Sequence, residues 1–315
     1  MSVKKMNNNK YFCTLFDKNY LIKGLAMIAS LLKNCPEAHI YVLCMDDYVF
    51  EYFEKFPSAH ITTISLSDFE TKDLLELKNT RSVAEYCWTL SPCLPWYILE
   101  NYDSIDLITY LDADLFFYSS VYSIFEEINQ GSIAIIEHRF TEELLDRIVN
   151  GKFCVEWVSF RRDSEGMRCL ARWRNQCIEW CFYRLENGKM GDQKYLDEWP
   201  DLYSGCHVIE NIGAGVAPWN YGNYEISEKD GSITVDGLPL IFYHFHQFQI
   251  VKKGKFDRIS KFYSEKWPVP EIIYSRYEDA LLAISQKIEI YDSNFFYRKS
   301  YIEKLFNAMI KRWQS

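Results

Sequence analysis

Four short apolar runs, over residues 11–16, 40–45, 61–64 and 107–111, alternate with stretches of helical periodicity at 20–33, 48–55, 68–77 and 82–100. Such alternation predicts an α/β chain built on a mostly parallel central sheet flanked by helices on both faces. Ligands of these sheets sit just beyond the carboxyl ends of the strands. The fourth run ends there in Asp112-Ala113-Asp114. Side chains alternate along a strand, so the two carboxylates point the same way, roughly 7 Å apart, close enough to share one cation. A divalent cation held by one or two carboxylates, with the rest of its shell left to water and phosphate, is a common way to hold a diphosphate. The pattern therefore points to a nucleotide-diphosphate ligand; its plain alternative is a solvated turn or a helix cap.

A later apolar run, 240–243, ends in His244-Phe245-His246. His244 has two readings: a third ligand beside the carboxylates, in a set suited to manganese or magnesium, or a histidine satisfied in the core. Asp236-Gly237 reads as a two-residue turn between strands 232–235 and 238–242, a hairpin that would carry His244 to the site. Asp17 follows the first strand and Asp46 the second; each either caps the next helix or touches a base or ribose. Gly213 and Gly215 allow close backbone approach to a ligand, although their loop lacks the Lys-Ser/Thr ending of a P-loop.

The motifs Asp17-Lys18-Asn19-Tyr20, Tyr110-Leu111-Asp112-Ala113-Asp114, Gly191-Asp192-Gln193-Lys194, Asn211-Ile212-Gly213-Ala214-Gly215 and Tyr243-His244-Phe245-His246 follow one another in an informative order. In that order the chain resembles metal-dependent sugar-nucleotide glycosyltransferases of the GT-A fold, most nearly bacterial enzymes similar to family 8, which are retaining. The resemblance spans about residues 11–250. It implies that Asp112, Asp114 and His244 hold Mn²⁺ or Mg²⁺, and that Asp17 and Tyr20 lie against the nucleobase. Asp46, Arg81, Ala113, Gly213 and Gly215 join them on the donor side. Asp192 and Gln193 would face the transferred sugar and its anomeric carbon. The implied partners are a UDP-linked sugar donor and a glycan or glycolipid acceptor of cell-surface polysaccharide synthesis. Cys154 and Glu156 depart from the family, which usually has an asparagine and a glycine there.

Two rival functions have weaker support. A nucleotidyltransferase would carry a glycine-rich basic loop after the first strand, and Asp17 to Tyr20 is not one. A noncatalytic sugar-binding protein would keep the aromatics without the metal ligands.

A net charge of −9 without an arginine-rich run excludes nucleic-acid binding by phosphate neutralisation. Ten cysteines without a C-x-x-C pair read as buried thiols of a cytoplasmic protein. Residues 1–10 lack the apolar core of a signal peptide, and no segment has the apolar length of a membrane span, so the expected location is cytoplasmic. The length allows a catalytic domain over 1–262, with a donor half at about 11–118 and an acceptor half at about 119–262, and a helical extension over 263–315. Within it, Ile273, Tyr277, Leu281, Ile284 and Ile288 form one apolar stripe; Tyr301, Leu305, Phe306, Met309 and Trp313 form a second, set among basic residues. These helices either pack on the catalytic domain or a second subunit, or lie peripherally on the anionic inner membrane face. A helix is expected over 165–186, and a polar loop over 137–151 that closes over the donor.

Overall fold

A computed structural model describes residues 10–259, 263 and 267–296. Its first half runs β1 (Lys10–Phe16), α1 (Leu21–Asn34), β2 (Ala38–Cys44), α2 (Asp47–Lys55), β3 (Ile61–Ser65), short helices α3 (Leu66–Phe69) and α4 (Lys72–Lys78), α5 (Val83–Asn101), β4 (Leu107–Leu111) and β5 (Leu115–Phe117). The second half adds α6 (Tyr122–Ile128), β6 (Ile133–Glu137), β7 (Phe153–Arg161), α7 (Ser164–Glu179), α8 (Trp199–Leu202), β8 (Cys206–Ile209), β9 (Ile226–Lys229), β10 (Ser232–Val235), β11 (Leu238–Pro239), β12 (Phe242–His244), β13 (Gln249–Lys252), β14 (Lys255–Asp257) and α9 (Glu271–Tyr291).

The central sheet has the order β3-β2-β1-β4-β7-β6-β8. Its pairs are parallel except those made by β7, which runs antiparallel to β4 and β6. The chain moves outward from β1 to β3 and then returns to place β4 on the other side of β1. That reversal opens a crevice at the carboxyl ends of β1 and β4, where open α/β sheets bind ligands.

Strand alternation divides the core between two faces. Phe12 and Phe16 of β1 pack with α1, Trp157, Phe242 and α9, whereas Cys13 and Leu15 pack with α5, α7, Trp173 and Trp199. The expected stripe Ile273, Tyr277, Leu281, Ile284 and Ile288 is buried in the first of these, so α9 is a packed helix. The second stripe, 301–313, lies outside the described residues. No described helix is long and apolar enough to cross a membrane. Cys87 and Cys206 are half-buried and the other eight cysteines buried, all as free thiols.

Three expectations need correction. The helix expected to 186 stops at Glu179, so Trp180, Phe182 and Leu185 fall on an irregular segment, and Leu185 is exposed. The segment expected as an irregular polar loop instead forms 3₁₀ turns over Glu142–Asn150. The hairpin across Asp236-Gly237 runs only to Pro239, with one further backbone bond from Leu240 N to Ile233 O (2.9 Å); β12 leaves it and pairs with β5.

Candidate active site

The site begins where β4 ends. Asp112 and Asp114 occupy the turn into β5, and β5 pairs antiparallel with β12 so that His244 stands opposite Leu115. Backbone bonds from Phe245 N to Asp114 O (2.9 Å) and from His244 N to Val216 O (2.8 Å) fix this junction. His244 Nε2 lies 3.0 Å from Asp114 Oδ1 and 3.8 Å from Asp112 Oδ2. The ligand atoms of all three residues fall within 4.8 Å of one another. Two carboxylates and an imidazole form a donor set for a hard or borderline divalent cation. Asp114 and His244 are buried and Asp112 keeps 30% of its side chain exposed, so an ion would meet solvent and ligand on the Asp112 side.

The charges are strongly coupled. Burial, opposed by His244 and reinforced by Asp114 and Glu156, pushes Asp112 up to about 7. Burial would raise Asp114 too, but His244 and Lys23 hold its carboxyl well below the usual range. For His244 burial is outweighed by Asp114, Cys154 and Glu156, which keep its imidazole well above its ordinary value. Lys23 on α1 stands 3.9 Å from Asp114 Oδ2.

A cleft of about 460 Å³ opens over this group, and Asp112, His244, Asp192, Gln193, Trp88 and Arg147 all line it. Asp192 is buried, its Oδ2 has no hydrogen-bond partner, and burial followed by the charge of Asp112 pushes it up to about 7. Its backbone carbonyl accepts from Trp173 Nε1 (2.9 Å). It does not cap a helix with its side chain. Gln193 donates through Nε2 to Asn150 O (3.0 Å), which ties the next 3₁₀ turn to the 142–150 segment.

The remaining predicted residues divide. Tyr20 is exposed, and Asp114, then burial and Asp112, hold its phenol well above the usual value, which places it within reach of the carboxylates' field. Asp46 caps α2, accepting from Val49 N (2.9 Å) and also from Lys18 N (2.7 Å), whereas Asp17 closes the turn before α1, accepting from Asn19 N (2.9 Å) and Tyr20 N (3.1 Å). Together they order the turn that carries Tyr20. Ala113 is buried in the core between the two acids.

Arg81 was expected on the donor and is not there. Its guanidinium turns into the seam between α5 and α7, donating to Thr89 Oγ1, Cys177 O (2.6 Å) and Ile178 O (2.7 Å). Three acceptors engage its two terminal nitrogens inside the protein, while its buried Nε has no partner. The two glycines also approach protein instead of ligand. A Cβ at Gly213 would lie 2.1 Å from Pro239 O, and one at Gly215, where φ is +73°, would lie 2.6 Å from Glu156 Oε1.

Lys23, Glu156, His138 and Trp219 were not anticipated. Trp219 stands edge-on to His138 (5.1 Å) and His244 (5.1 Å), walling the cleft with rings. Glu156 had a legible signal, an acid inside the apolar strand 153–160; Lys23 had one in a lysine on the apolar face of α1.

Residues 12–154 match glycosyl transferase family 8. The uncharacterized protein YfnD of Bacillus subtilis (strain 168) is 34% identical over 272 residues, covering 85% of this chain and 87% of that protein. Among solved structures, galactosyltransferase LgtC in complex with donor and acceptor sugar analogues superposes with a TM-score of 0.51 at 14% identity, over 86% of this chain and 95% of LgtC. An LgtC active-site mutant with a glutamine changed to glutamate gives 0.53 at 13% identity, over 86% and 94%. These likenesses show a shared GT-A fold. With the family match and the relative of similar length, they establish that the chain is an enzyme of the glycosyltransferase class and belongs to glycosyl transferase family 8.

Proposed function

We propose that this glycosyltransferase moves a sugar from a UDP-linked donor to a hydroxyl of a glycan or glycolipid acceptor, with Asp112, Asp114 and His244 holding Mn²⁺ or Mg²⁺. The observation that carries this reading is the convergence of those three side chains, from the ends of β4 and β12, beside a cleft that Asp112, His244, Asp192 and Gln193 line together. The bound cation supplies Lewis-acid stabilisation of the departing diphosphate.

The chain's own residues do the rest. Tyr20 and the turn ordered by Asp17 and Asp46 form the nucleotide side. Trp219 and its ring neighbours exclude water from the ligand histidine, which strengthens each charge interaction in the cleft. Asp192 and Gln193 position the sugar and meet positive charge as it develops at the anomeric carbon. Asp192 lines the cleft and carries a buried oxygen without a protein partner, which supports a role toward the sugar. Departure and return on one face of the sugar, assisted by the leaving phosphate, gives the retaining outcome without a covalent nucleophile. The enzyme works in the cytoplasm, and the basic tail brings it to lipid-linked acceptors at the inner membrane face.

The test is incubation with Mn²⁺ and a panel of nucleotide sugars, followed by detection of free nucleotide diphosphate. Release of UDP by the wild type, absent in excess chelator and in Asp114→Ala, is the expected result. Undiminished turnover by that variant overturns the metal assignment, and release of a different nucleotide overturns the donor class.

A further inference from the structure

β7 runs through the middle of the central sheet, yet it carries Glu156 with no exposed surface at all. A carboxylate there is costly unless something beside it needs the charge. Glu156 Oε2 lies 2.6 Å from His244 Nδ1, on the side of the imidazole opposite Asp114. The backbone carbonyl of the same residue accepts from Asp112 N at 3.3 Å. One residue of β7 thus touches two of the three proposed ligands, one through its main chain and one through its side chain.

Cys154, two residues earlier on the same face of the strand, gives a second possible reading. Its thiol, Glu156 and His244 lie within 4.8 Å of one another, close enough for a thiophilic cation. Geometry decides against it. A tetrahedral zinc bridging imidazole nitrogen and carboxylate oxygen would hold those two atoms about 3.3 Å apart. At 2.6 Å a proton fits between them and a metal does not.

We propose that Glu156 is a positioning residue for the metal site. It accepts the Nδ1–H of His244, which fixes the ring orientation and the tautomer, so that the Nε2 lone pair faces Asp112 and Asp114. A ligand histidine held this way is a stronger base, and its partner is worth about 10- to 100-fold in metal affinity. Gly215 completes the arrangement: any larger residue would place its Cβ 2.6 Å from Glu156 Oε1 and push the carboxylate off the histidine. This inference rests on the reading of Asp112, Asp114 and His244 as metal ligands.

The experiment measures Mn²⁺ binding by the loss of the free-ion EPR signal, in wild type, Glu156→Gln and Glu156→Leu, beside melting curves in chelator. Wild type should bind Mn²⁺, and both variants should bind it about 10- to 100-fold more weakly, Leu the weaker, while each melts cooperatively in chelator. Equal binding by wild type and Glu156→Leu overturns the proposal and leaves the ligand assignment standing. No Mn²⁺ binding by wild type overturns the ligand assignment itself. Should the variants not fold, ¹⁵N-histidine NMR of the wild-type Mg²⁺ complex decides the question. A proton on His244 Nδ1 alone upholds the proposal, a proton on Nε2 alone overturns it, and protons on both nitrogens overturn the ligand assignment.

Discussion

Lys23 Nζ sits 3.9 Å from Asp114 Oδ2, and both side chains are less than a tenth exposed. An ammonium group therefore occupies one oxygen of a proposed metal ligand and leaves the other, Oδ1, turned toward His244. Removing Lys23 leaves Asp114 with His244 as its remaining compensating partner, so stability falls by less than the loss of a sole partner would cost. A bound cation would compensate Asp114 in its place. Lys23→Met should therefore melt below wild type in chelator and recover more than wild type does on adding Mn²⁺. Equal Mn²⁺-induced shifts in melting temperature for the two proteins would show that Lys23 and the cation do not share Asp114.

Asp192 is proposed to act on the sugar and not on the nucleotide. Asp192→Asn keeps its size and its backbone bond to Trp173 Nε1, so it should bind UDP with near wild-type affinity while turnover falls by about 10²- to 10³-fold. Calorimetry with UDP, set beside steady-state transfer, separates the two. A matched loss of UDP affinity in the folded variant would place Asp192 on the nucleotide.

Burial holds His138 neutral, with its pKa lowered to about 3, while its ring stacks on Phe140 at 4.7 Å. An unfolded histidine titrates near 6.5, so between about pH 6.5 and 3 the unfolded state binds a proton that the folded state refuses. The stability due to neutral His138 is whole above about pH 6.5 and falls as pH drops through that window. From pH 7.5 to 5 the wild type should lose about 2 kcal/mol more than His138→Gln in urea unfolding. A pH-independent difference between the two would refute the burial argument.

Tyr277 of α9 stacks on Phe245 with ring centroids 3.7 Å apart, and its buried hydroxyl has no hydrogen-bond partner. Removing an unsatisfied hydroxyl relieves a desolvation penalty, so Tyr277→Phe should be neutral or raise stability by about 1 kcal/mol. Tyr277→Ala, which empties the ring's place in the core, should cost about 3–5 kcal/mol. If the alanine change costs little, α9 is not integral to the catalytic fold.

How much of this could be read from residues depended on how local the signal was. The strand 107–111 matches β4 because an apolar run closed by acids needs no distant partner to explain it. The helix expected over 82–100 was equally legible from its periodicity, and the structure closes its start with a capping box of Ser82 and Glu85. Arg81, one residue earlier, was misplaced because its acceptors at Cys177 and Ile178 lie on a helix almost a hundred positions away. The approach of Gly213 to Pro239 and the bond of Glu156 to His244 are likewise long-range, and no periodicity encodes them. His244 itself was identifiable from the end of its apolar run, while the strand pairing that carries it was not.

That pairing has a consequence for how the enzyme is assembled. His244 and Asp114 are 130 positions apart and meet because β12 aligns with β5 over only three residues. A slip of one residue would present Tyr243 or Phe245 in its place and turn the imidazole to the opposite face. The cluster of Asp112, Asp114 and His244 therefore forms only in chains whose late-synthesised segment has docked in the correct frame. Any ligand that binds this cluster would stabilise only correctly paired molecules.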